Sequence, residues 1–229
     1  ATFITRRCLE QIIVGIALHK LPIKLIGNGG GLVYAPLGPT HLATDDISLL
    51  KPIPNMSIVS VSDSDEMSLL MDQSLEYKNP LYIRLGKGYD PIVKYKSSFK
   101  IGKIRKATNA KDYSILLIST GIMTKHVLDV SKLLEKHNIK SNVIHCHTVK
   151  PLDKTNISKL INNKIKGIFT IEENSTIGGL GSSIEELILE KFNNKRLKFY
   201  KFGIKDKFID KYGTQNQLLT YQVLSPSKI

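Results

Sequence analysis

Residues 24–56, KLIGNGGGLVYAPLGPTHLATDDISLLKPIPNM, decide the fold of this chain. A short apolar strand pattern at residues 23–26 runs into a loop that carries four glycines, and a tight turn follows at residues 37–41. A strand that feeds a glycine-rich loop at the mouth of an α/β sheet is where such folds place ligands. The pattern therefore predicts a site here, in which His41 is the one side chain that titrates near neutral pH.

The glycine run leaves two interpretations open. Glycines at residues 29–31 let the backbone approach a ligand closely or take φ > 0, neither of which a core strand needs. A phosphate cradle is one interpretation, although the run lacks the Gly-Lys-Ser/Thr of a P-loop and follows the dinucleotide fingerprint only loosely. A tight loop beside some other ligand is the interpretation that we favour. His41 is then either a polar contact for that ligand or a structural histidine.

The charge of the chain is uneven. Its 229 residues suit one large domain or two of ordinary size, and the formal net charge is +13. Residues 1–90 hold 8 Lys/Arg and 9 Asp/Glu, whereas residues 91–229 hold 25 and 11. A basic half is a feature of nucleic-acid binders, but no nucleic-acid motif accompanies these scattered lysines. We therefore expect a solvated, lysine-rich surface and no nucleic-acid partner.

Targeting features are few. No apolar run approaches the roughly 20 residues that span a bilayer, and the first residues lack a secretory signal pattern. The two cysteines, Cys8 and Cys146, suggest no disulfide framework. These features predict a cytoplasmic protein with no membrane partner. The chain begins with Ala1 inside a helical pattern, and we expect it to be a fragment of a longer protein.

Strand and helix patterns alternate along both halves of the chain. Apolar residues at helical spacing predict helices, and short β-branched runs predict strands. The predicted helices cover residues 2–18, 46–50, 65–76, 124–137, 150–162 and 182–192. The predicted strands cover residues 23–26, 57–61, 81–85, 114–119, 141–145, 167–171 and 197–202.

This alternation predicts an α/β fold with two consecutive parallel-sheet α/β domains. The first domain covers residues 1–90, and it is N-terminally incomplete because it opens on a helix with no strand before it. Residues 91–108 form a lysine-rich linker with one edge hairpin at most. The second domain covers residues 109–229.

Three further groups of residues invite a chemical interpretation. His145-Cys146-His147 suits a metal site, but no other Cys/His cluster completes a tetrahedral set, so a strand or strand end is favoured. Glu172 and Glu173 follow a strand and are either acid/base groups or, as we favour, helix-capping or interface residues. Lys87, between two glycines, is either a surface lysine or a contact for an anionic substrate.

Six motifs, taken together and in order, resemble the pyrimidine-binding and C-terminal domains of transketolase. They are residues 3–11 (FITRRCLEQ), 38–41 (GPTH), 52–56 (PIPNM), 82–87 (YIRLGK), 150–153 (KPLD) and 172–182 (EENSTIGGLGS). The tail at residues 204–209 (IKDKFI) is similar to the closing segment of the family. The resemblance covers essentially the whole chain. It is nearest to the split transketolases, in which these domains form a separate C-terminal subunit.

The resemblance implies a cofactor and a set of site residues. The cofactor is thiamine diphosphate, with Phe3 stacked on its aminopyrimidine ring and Arg6 bordering the same pocket. His41 contacts the substrate and moves protons as a donor ketose is cleaved between C2 and C3, which makes it the expected catalytic residue. Lys87 takes the place of the arginine that usually grips the sugar phosphate, and it keeps the charge without the bidentate fork.

The same resemblance implies partners. A diphosphate-binding subunit or domain supplies Mg²⁺ with its GDG…N ligands, a motif that this chain lacks, so we expect no metal ligand here. A homodimer or an α2β2 assembly is expected, since sites in this family lie at subunit interfaces. The substrate is expected to be a phosphorylated sugar that donates a two-carbon ketol unit.

Three positions depart from the pattern of the family. The glutamate that activates the aminopyrimidine falls upstream of Ala1, so the chain as it stands is expected to be inactive. Gly29 stands where transketolases usually carry a substrate-contacting histidine. Leu37 stands where long-chain transketolases carry an aspartate that binds a sugar hydroxyl. These departures argue against taking the usual pentose and heptulose phosphates as given, and a less common ketose or ketoacid is an open alternative.

Other functions remain open at this point. The 1-deoxyxylulose-5-phosphate synthases share similar GPTH and IPNM stretches, and the β chains of 2-oxoacid dehydrogenases share the architecture. A non-catalytic assembly module is the alternative from another class of protein.

Overall fold

The computed structural model describes residues 1–192 and 197–229. Its strands are β1 (Lys24–Gly27), β2 (Ser57–Ser60), β3 (Leu81–Arg84), β4 (Arg105–Lys106), β5 (Ile115–Ser119), β6 (Ser141–His145), β7 (Thr148–Lys150), β8 (Gly167–Ser175) and β9 (Lys198–Ile204). Its α-helices are α1 (Thr2–Arg6), α2 (Leu9–Gln11), α3 (Asp46–Leu50), α4 (Ser64–Leu75), α5 (Met123–Lys136), α6 (Lys154–Leu160), α7 (Leu180–Lys191) and α8 (Gln215–Tyr221).

The first sheet has the strand order β1-β3-β2-β7. Strands β1 and β2 both run parallel to β3, with Gly27 and Ser60 each beside Arg84 at the carboxyl end of that strand. Strand β7 belongs to the second half of the chain and pairs antiparallel with β2. One sheet is therefore built from both halves of the molecule.

The second sheet has the order β4-β6-β5-β8-β9. Its four long strands are parallel, and β4 is an antiparallel edge strand that lies beside the end of β6. The helical connections that parallel strands require are α5, α6 and α7. The carboxyl ends of β5 and β8 face the first sheet, where the turn after β5 bonds back to β2 through Gly121 N–H and the carbonyl of Ser60 at 3.2 Å.

The prediction of an α/β fold with two parallel sheets is confirmed, and each sheet carries one antiparallel strand that the sequence analysis did not include. The predicted helix at residues 2–18 is interrupted. Helices α1 and α2 are separated at Arg7 and Cys8, and a π-helix, Ile12–Ala17, completes the segment. Within residues 91–108, where we expect one edge hairpin at most, the structure has β4, which pairs with β6 of the second sheet instead of forming a hairpin. The division into domains at residues 90 and 109 stays a prediction.

One apolar core runs between the two sheets. Buried Ile58 and Tyr82 of the first sheet belong to the same cluster as Ile144 and Ile184 of the second half. Two smaller clusters lie on the outer faces, one under α5 and α8 and one under α4. Among the helices that the structure describes, none is both long and apolar enough to cross a membrane.

Candidate functional site

Phe3 and His41 lie side by side at the surface. Their rings meet edge to face with centroids 5.1 Å apart. Phe3 is 42% exposed, and the guanidinium of Arg7 lies 4.1 Å from its ring centroid. An aromatic ring with this much free surface can stack a second planar ring.

A tight turn presents His41. The His41 N–H donates to the carbonyl of Gly38 at 3.0 Å, and Gly38 has φ 76°, a left-handed conformation that glycine adopts without strain. The Thr40 hydroxyl lies 3.0 Å from His41 Nδ1, and Thr2 of α1 donates to the His41 carbonyl at 2.8 Å. Helix α1 and the turn are thereby held together, which fixes Phe3 beside His41.

The glycine loop, residues 27–31, is packed against other parts of the protein. The N–H groups of Gly29, Gly30 and Gly31 donate to the carbonyls of Gly86, Leu85 and Ala43, so these three amides are not free for a phosphate. Side chains fill the space where a Cβ would stand at each position: Tyr34 at Gly29, Arg84 at Gly30 and Glu173 at Gly31. The phosphate-cradle interpretation is therefore not supported, and the glycines instead admit large polar side chains beneath the loop.

A buried ion pair lies beneath this loop. Arg84 Nε donates to Asp46 Oδ2 at 2.8 Å, and the Tyr82 hydroxyl donates to the same oxygen at 2.7 Å. Arg84 Nη2 also donates to the carbonyls of Ala43 and Glu173, at 3.0 and 2.9 Å. Burial works against the charged guanidinium, but Asp46 outweighs it and raises the pKa of Arg84. The arginine ties the loop, α3 and the second half together.

Lys87 lines a separate small pocket of about 210 Å³ beside the glycine loop. The other charged groups on its wall are Asp63 and Asp90, and burial raises the pKa of Asp90. Asn28 of the glycine loop lines the pocket too. The substrate contact of Lys87 stays a prediction.

Arg6 forms an ion pair with Asp45. Its guanidinium binds the carboxylate with contacts of 2.8 to 3.0 Å, and both side chains are about one-third exposed. The pair lines a cleft of about 330 Å³ between the turn that contains Pro39 and residues 204–209. The contact of Arg6 with the cofactor stays a prediction.

Glu172 and Glu173 have different partners. The Glu172 carboxylate accepts the N–H groups of Leu180 and Gly181 at 2.8 Å each, so it caps α7 as the sequence interpretation favoured. Glu173 accepts from Gln215 of α8 at 2.8 Å and lies directly under Gly31. Burial raises the pKa of each carboxyl to about 7.

A second buried cluster, formed by Glu66, Arg105 and His145, was not predicted from the sequence. Glu66 of α4 accepts Arg105 Nη1 at 3.0 Å and His145 Nε2 at 2.8 Å, and all three side chains are buried. Although burial alone would raise it, the charge and hydrogen bond of His145 hold the pKa of Glu66 down to about 2. The only local feature of the sequence around Glu66 is its spacing from Asp63, which marks the start of a helix. Its partners Arg105 and His145 lie 39 and 79 residues away along the chain.

His145 and His147 face the same side and do not form a metal site. His147 stacks on Phe99 with centroids 4.3 Å apart, and burial lowers its pKa to about 3. Cys146 is buried elsewhere in the core, where burial raises the pKa of its thiol. Within the described residues no three His, Cys, Asp or Glu side chains are grouped as metal ligands. The strand-end interpretation of this tripeptide fits the structure.

Comparison with known proteins identifies the family. The profile of the transketolase pyrimidine-binding domain matches residues 1–89, and that of the transketolase C-terminal domain matches residues 102–229. The chain belongs to the transketolase family. It is 33% identical over 231 residues to 1-deoxy-D-xylulose-5-phosphate synthase of Francisella philomiragia, covering 100% of this chain and 36% of that protein.

Two other relatives belong to enzymes that are divided into separate chains. One subunit of the apulose-4-phosphate transketolase of Phocaeicola vulgatus is 31% identical over 192 residues, covering 83% of this chain and 61% of that protein. A split-gene transketolase, solved as an inactive β4 tetramer, superposes with a TM-score of 0.87 at 28% identity, covering 99% of this chain and 71% of that one. The chain thus spans 36% to 61% of the length of the two sequence relatives named here.

The residues present fit half of the cofactor on which this family depends. The free surface of Phe3, beside the imidazole of His41, suits the aminopyrimidine ring of thiamine diphosphate. The diphosphate and its Mg²⁺ need other donors, and the glycine-loop amides that would suit a phosphate are already bonded within the chain.

Proposed function

We propose that this chain supplies the pyrimidine-binding and C-terminal domains of an enzyme that transfers a two-carbon ketol unit between sugar phosphates. Residues 1–90 form the pyrimidine-binding domain and residues 109–229 the C-terminal domain. The transferase works with a diphosphate-binding partner that holds Mg²⁺, in a homodimer or an α2β2 assembly. Its cytoplasmic location stays a prediction.

One observation carries the proposal: exposed Phe3 and half-buried His41 form an aromatic pair in a chain of the transketolase family. The two residues are 38 positions apart in the sequence, and α1 and the turn at Gly38 bring their rings to 5.1 Å. Neither ring is sealed in the core. A pair that served only stability would gain more from burial.

The side chains divide the work as follows. Bound thiamine diphosphate supplies the carbanion chemistry that the protein side chains cannot perform. Phe3 stacks against the aminopyrimidine and orients it. His41, with Nδ1 beside the Thr40 hydroxyl, has Nε2 available to bind a substrate oxygen and to carry a proton. Lys87, in a separate pocket beside the glycine loop, binds the phosphate of the sugar.

Two relatives support a separate partner chain. One is a single subunit of a transketolase and the other a split-gene transketolase, so separation of this enzyme into different chains occurs among its relatives. The split-gene protein was solved as an inactive tetramer of β chains. We therefore infer that this chain alone is inactive.

The test is reconstitution. The chain, with any residues encoded upstream of Ala1, is mixed with a diphosphate-binding subunit, thiamine diphosphate and Mg²⁺, and ketol transfer between sugar phosphates is measured. His41→Ala should lower kcat by about 10²-fold or more, because proton transfer by a positioned side chain contributes that much. His137→Ala, at an exposed histidine remote from the pair, is the control. Equal activity of His41→Ala and wild type would refute the role of His41; no turnover and no retained cofactor would favour an assembly module.

A 1-deoxyxylulose-5-phosphate synthase is the second candidate, because one relative of that activity matches the whole chain at 33% identity. A 1-deoxy product lacks the C1 hydroxyl, so the transferred unit must come from a 2-oxoacid rather than from a ketose. Turnover with pyruvate and an aldose phosphate, and none with a ketose phosphate, would select this candidate.

A further inference from the structure

The cluster around Glu66 connects the two halves of the chain. Glu66 lies in the first turn of α4, whereas Arg105 and His145 lie opposite each other on β4 and β6 of the second sheet. Glu66 Oε1 accepts Arg105 Nη1 at 3.0 Å, and Oε2 accepts His145 Nε2 at 2.8 Å. Each carboxylate oxygen therefore has a donor from the second half.

Because the cluster around Glu66 is buried, displacing any of its partners costs free energy. Glu66 is 1% exposed and His145 is fully buried, so a displaced partner would leave a charge without compensation. Thr124 Oγ1 lies 2.6 Å from His145 Nδ1 and fixes the orientation of the imidazole. Arg105 lies 3.8 Å from the ring centroid of Tyr95, which restricts the guanidinium as well.

The same carboxylate reaches the wall of the Lys87 pocket. Glu66 Oε2 accepts the Ser62 N–H at 2.9 Å, and the Ser62 hydroxyl donates to Asp63 Oδ2 at 2.7 Å. Asp63 Oδ2 in turn accepts the Val93 N–H at 3.1 Å, which fixes the segment that follows the Lys87 loop. Ser62 and Asp63 themselves line the pocket opposite Lys87.

We propose that the second half of the chain positions the Lys87 pocket through Glu66, a role for the C-terminal domain beyond the proposed reaction. Arg105 and His145 hold Glu66, Glu66 holds Ser62 and Asp63, and Asp63 holds Val93 at the end of the loop that carries Lys87. Glu66 is a positioning residue, since it lies behind the pocket wall. The inference rests on the proposed role of Lys87 in binding the phosphate of the substrate.

The experiment uses the whole chain and inorganic phosphate as the probe. Amide NMR follows the shifts of Gly86 and Gly88 during a phosphate titration, and hydrogen exchange follows the Val93 amide without phosphate. Glu66→Gln breaks the cluster directly. Thr124→Val, a milder change, removes the hydroxyl that orients the His145 imidazole and should fold even where Glu66→Gln does not.

The matched control is Glu172→Gln, which disturbs a buried carboxylate with two backbone donors at α7, away from the pocket. In Glu66→Gln and Thr124→Val, we expect phosphate affinity to fall roughly threefold to tenfold and Val93 exchange to accelerate similarly, as for residues coupled in one network. In Glu172→Gln both quantities should stay close to wild type. A general loss of stability would instead change phosphate affinity and Val93 exchange alike in all three variants. That result would overturn the proposal.

Lys87→Ala separates this inference from the proposed function. If it abolishes the phosphate shifts while Glu66→Gln and Thr124→Val bind phosphate and protect Val93 as wild type does, the positioning role alone is refuted. If Lys87→Ala binds phosphate as well as wild type, Lys87 is not the phosphate ligand, and the inference falls together with that part of the proposed site.

Discussion

The carboxyl of Glu173 lies where the glycine loop meets α8. Gly31 covers it, Gln215 donates to it, and the guanidinium of Arg84 binds the backbone carbonyl of the same residue. Burial raises the pKa of Glu173 from its usual 4.5 to about 7, and the charge of Arg84 offsets this only in part. The folded protein thus holds this proton more tightly than the unfolded chain does. The free energy of unfolding therefore falls as the pH rises from 4.5 to about 7.

Glu173→Gln should remove that pH dependence. The stabilising effect of the raised pKa is complete below pH 4.5 and is lost as pH rises through 7, by at most about 3 kcal/mol. Glutamine keeps the acceptor for Gln215 and carries no charge, so the variant should match wild type at pH 5 and exceed its stability at pH 8. Denaturant unfolding at both pH values measures this difference.

The control for this prediction is Glu76→Gln, at an exposed carboxylate with only a 3.8 Å contact to Lys78. Its stability relative to wild type should be the same at pH 5 and pH 8. A Glu173→Gln variant that behaves like this control would show that Glu173 is already ionised at pH 5.

Sequence reasoning named Phe3 and His41 and missed the buried clusters. Phe3 and His41 each belong to a motif that carries the resemblance to transketolase, which implied that they share a pocket, and the structure places their rings 5.1 Å apart. Glu66 and Arg84 look ordinary in their local sequence, since one follows a helix cap and the other sits in a strand. Their side-chain partners in these ion pairs are 38 or more residues away, and only the tertiary fold selects them.

Among the helices and strands too, some features could be predicted from the sequence and others could not. The parallel strands were predictable from short apolar runs between helical patterns, because a buried strand is apolar on both faces. Strand β7 was not, since its three residues, Thr148–Lys150, lie between the strand predicted at residues 141–145 and the helix predicted at residues 150–162, and only Lys150 falls in that helix. The break in the first helix at Arg7 and Cys8 has no proline or glycine to signal it.

Strand β7 joins the two halves, and its central side chain should show this. Val149 is 1% exposed in the shared core, so Val149→Ala should cost about 1 to 2 kcal/mol of unfolding free energy. Val14→Ala makes the same chemical change at a side chain that is 52% exposed, and it should cost less than about 0.5 kcal/mol. Denaturant titration compares the two, and equal losses would show that β7 does not anchor the core.

In the whole molecule, the positive charge is concentrated in the second half, whereas the apolar core is shared by both halves. The surplus of Lys and Arg lies almost entirely after residue 90, yet the buried contacts cross that boundary. Arg84 binds backbone of residue 173, Glu66 binds two side chains of the second half, and β7 completes the first sheet. The predicted domains are therefore distinct in sequence and chemistry while depending on each other for their cores.

This dependence predicts how the chain unfolds. Residues 1–101 expressed alone lack β7, Arg105 and His145, which leaves one edge of β2 unpaired and the buried carboxylate of Glu66 without its two partners from the second half. An uncompensated buried charge costs several kcal/mol, a large share of the stability of a small domain. We expect this piece to show no cooperative transition, and the whole chain to unfold in one step with coincident fluorescence and circular dichroism curves. Two separate transitions in the whole chain, with the first reproduced by residues 1–101, would mean that each half holds its own core.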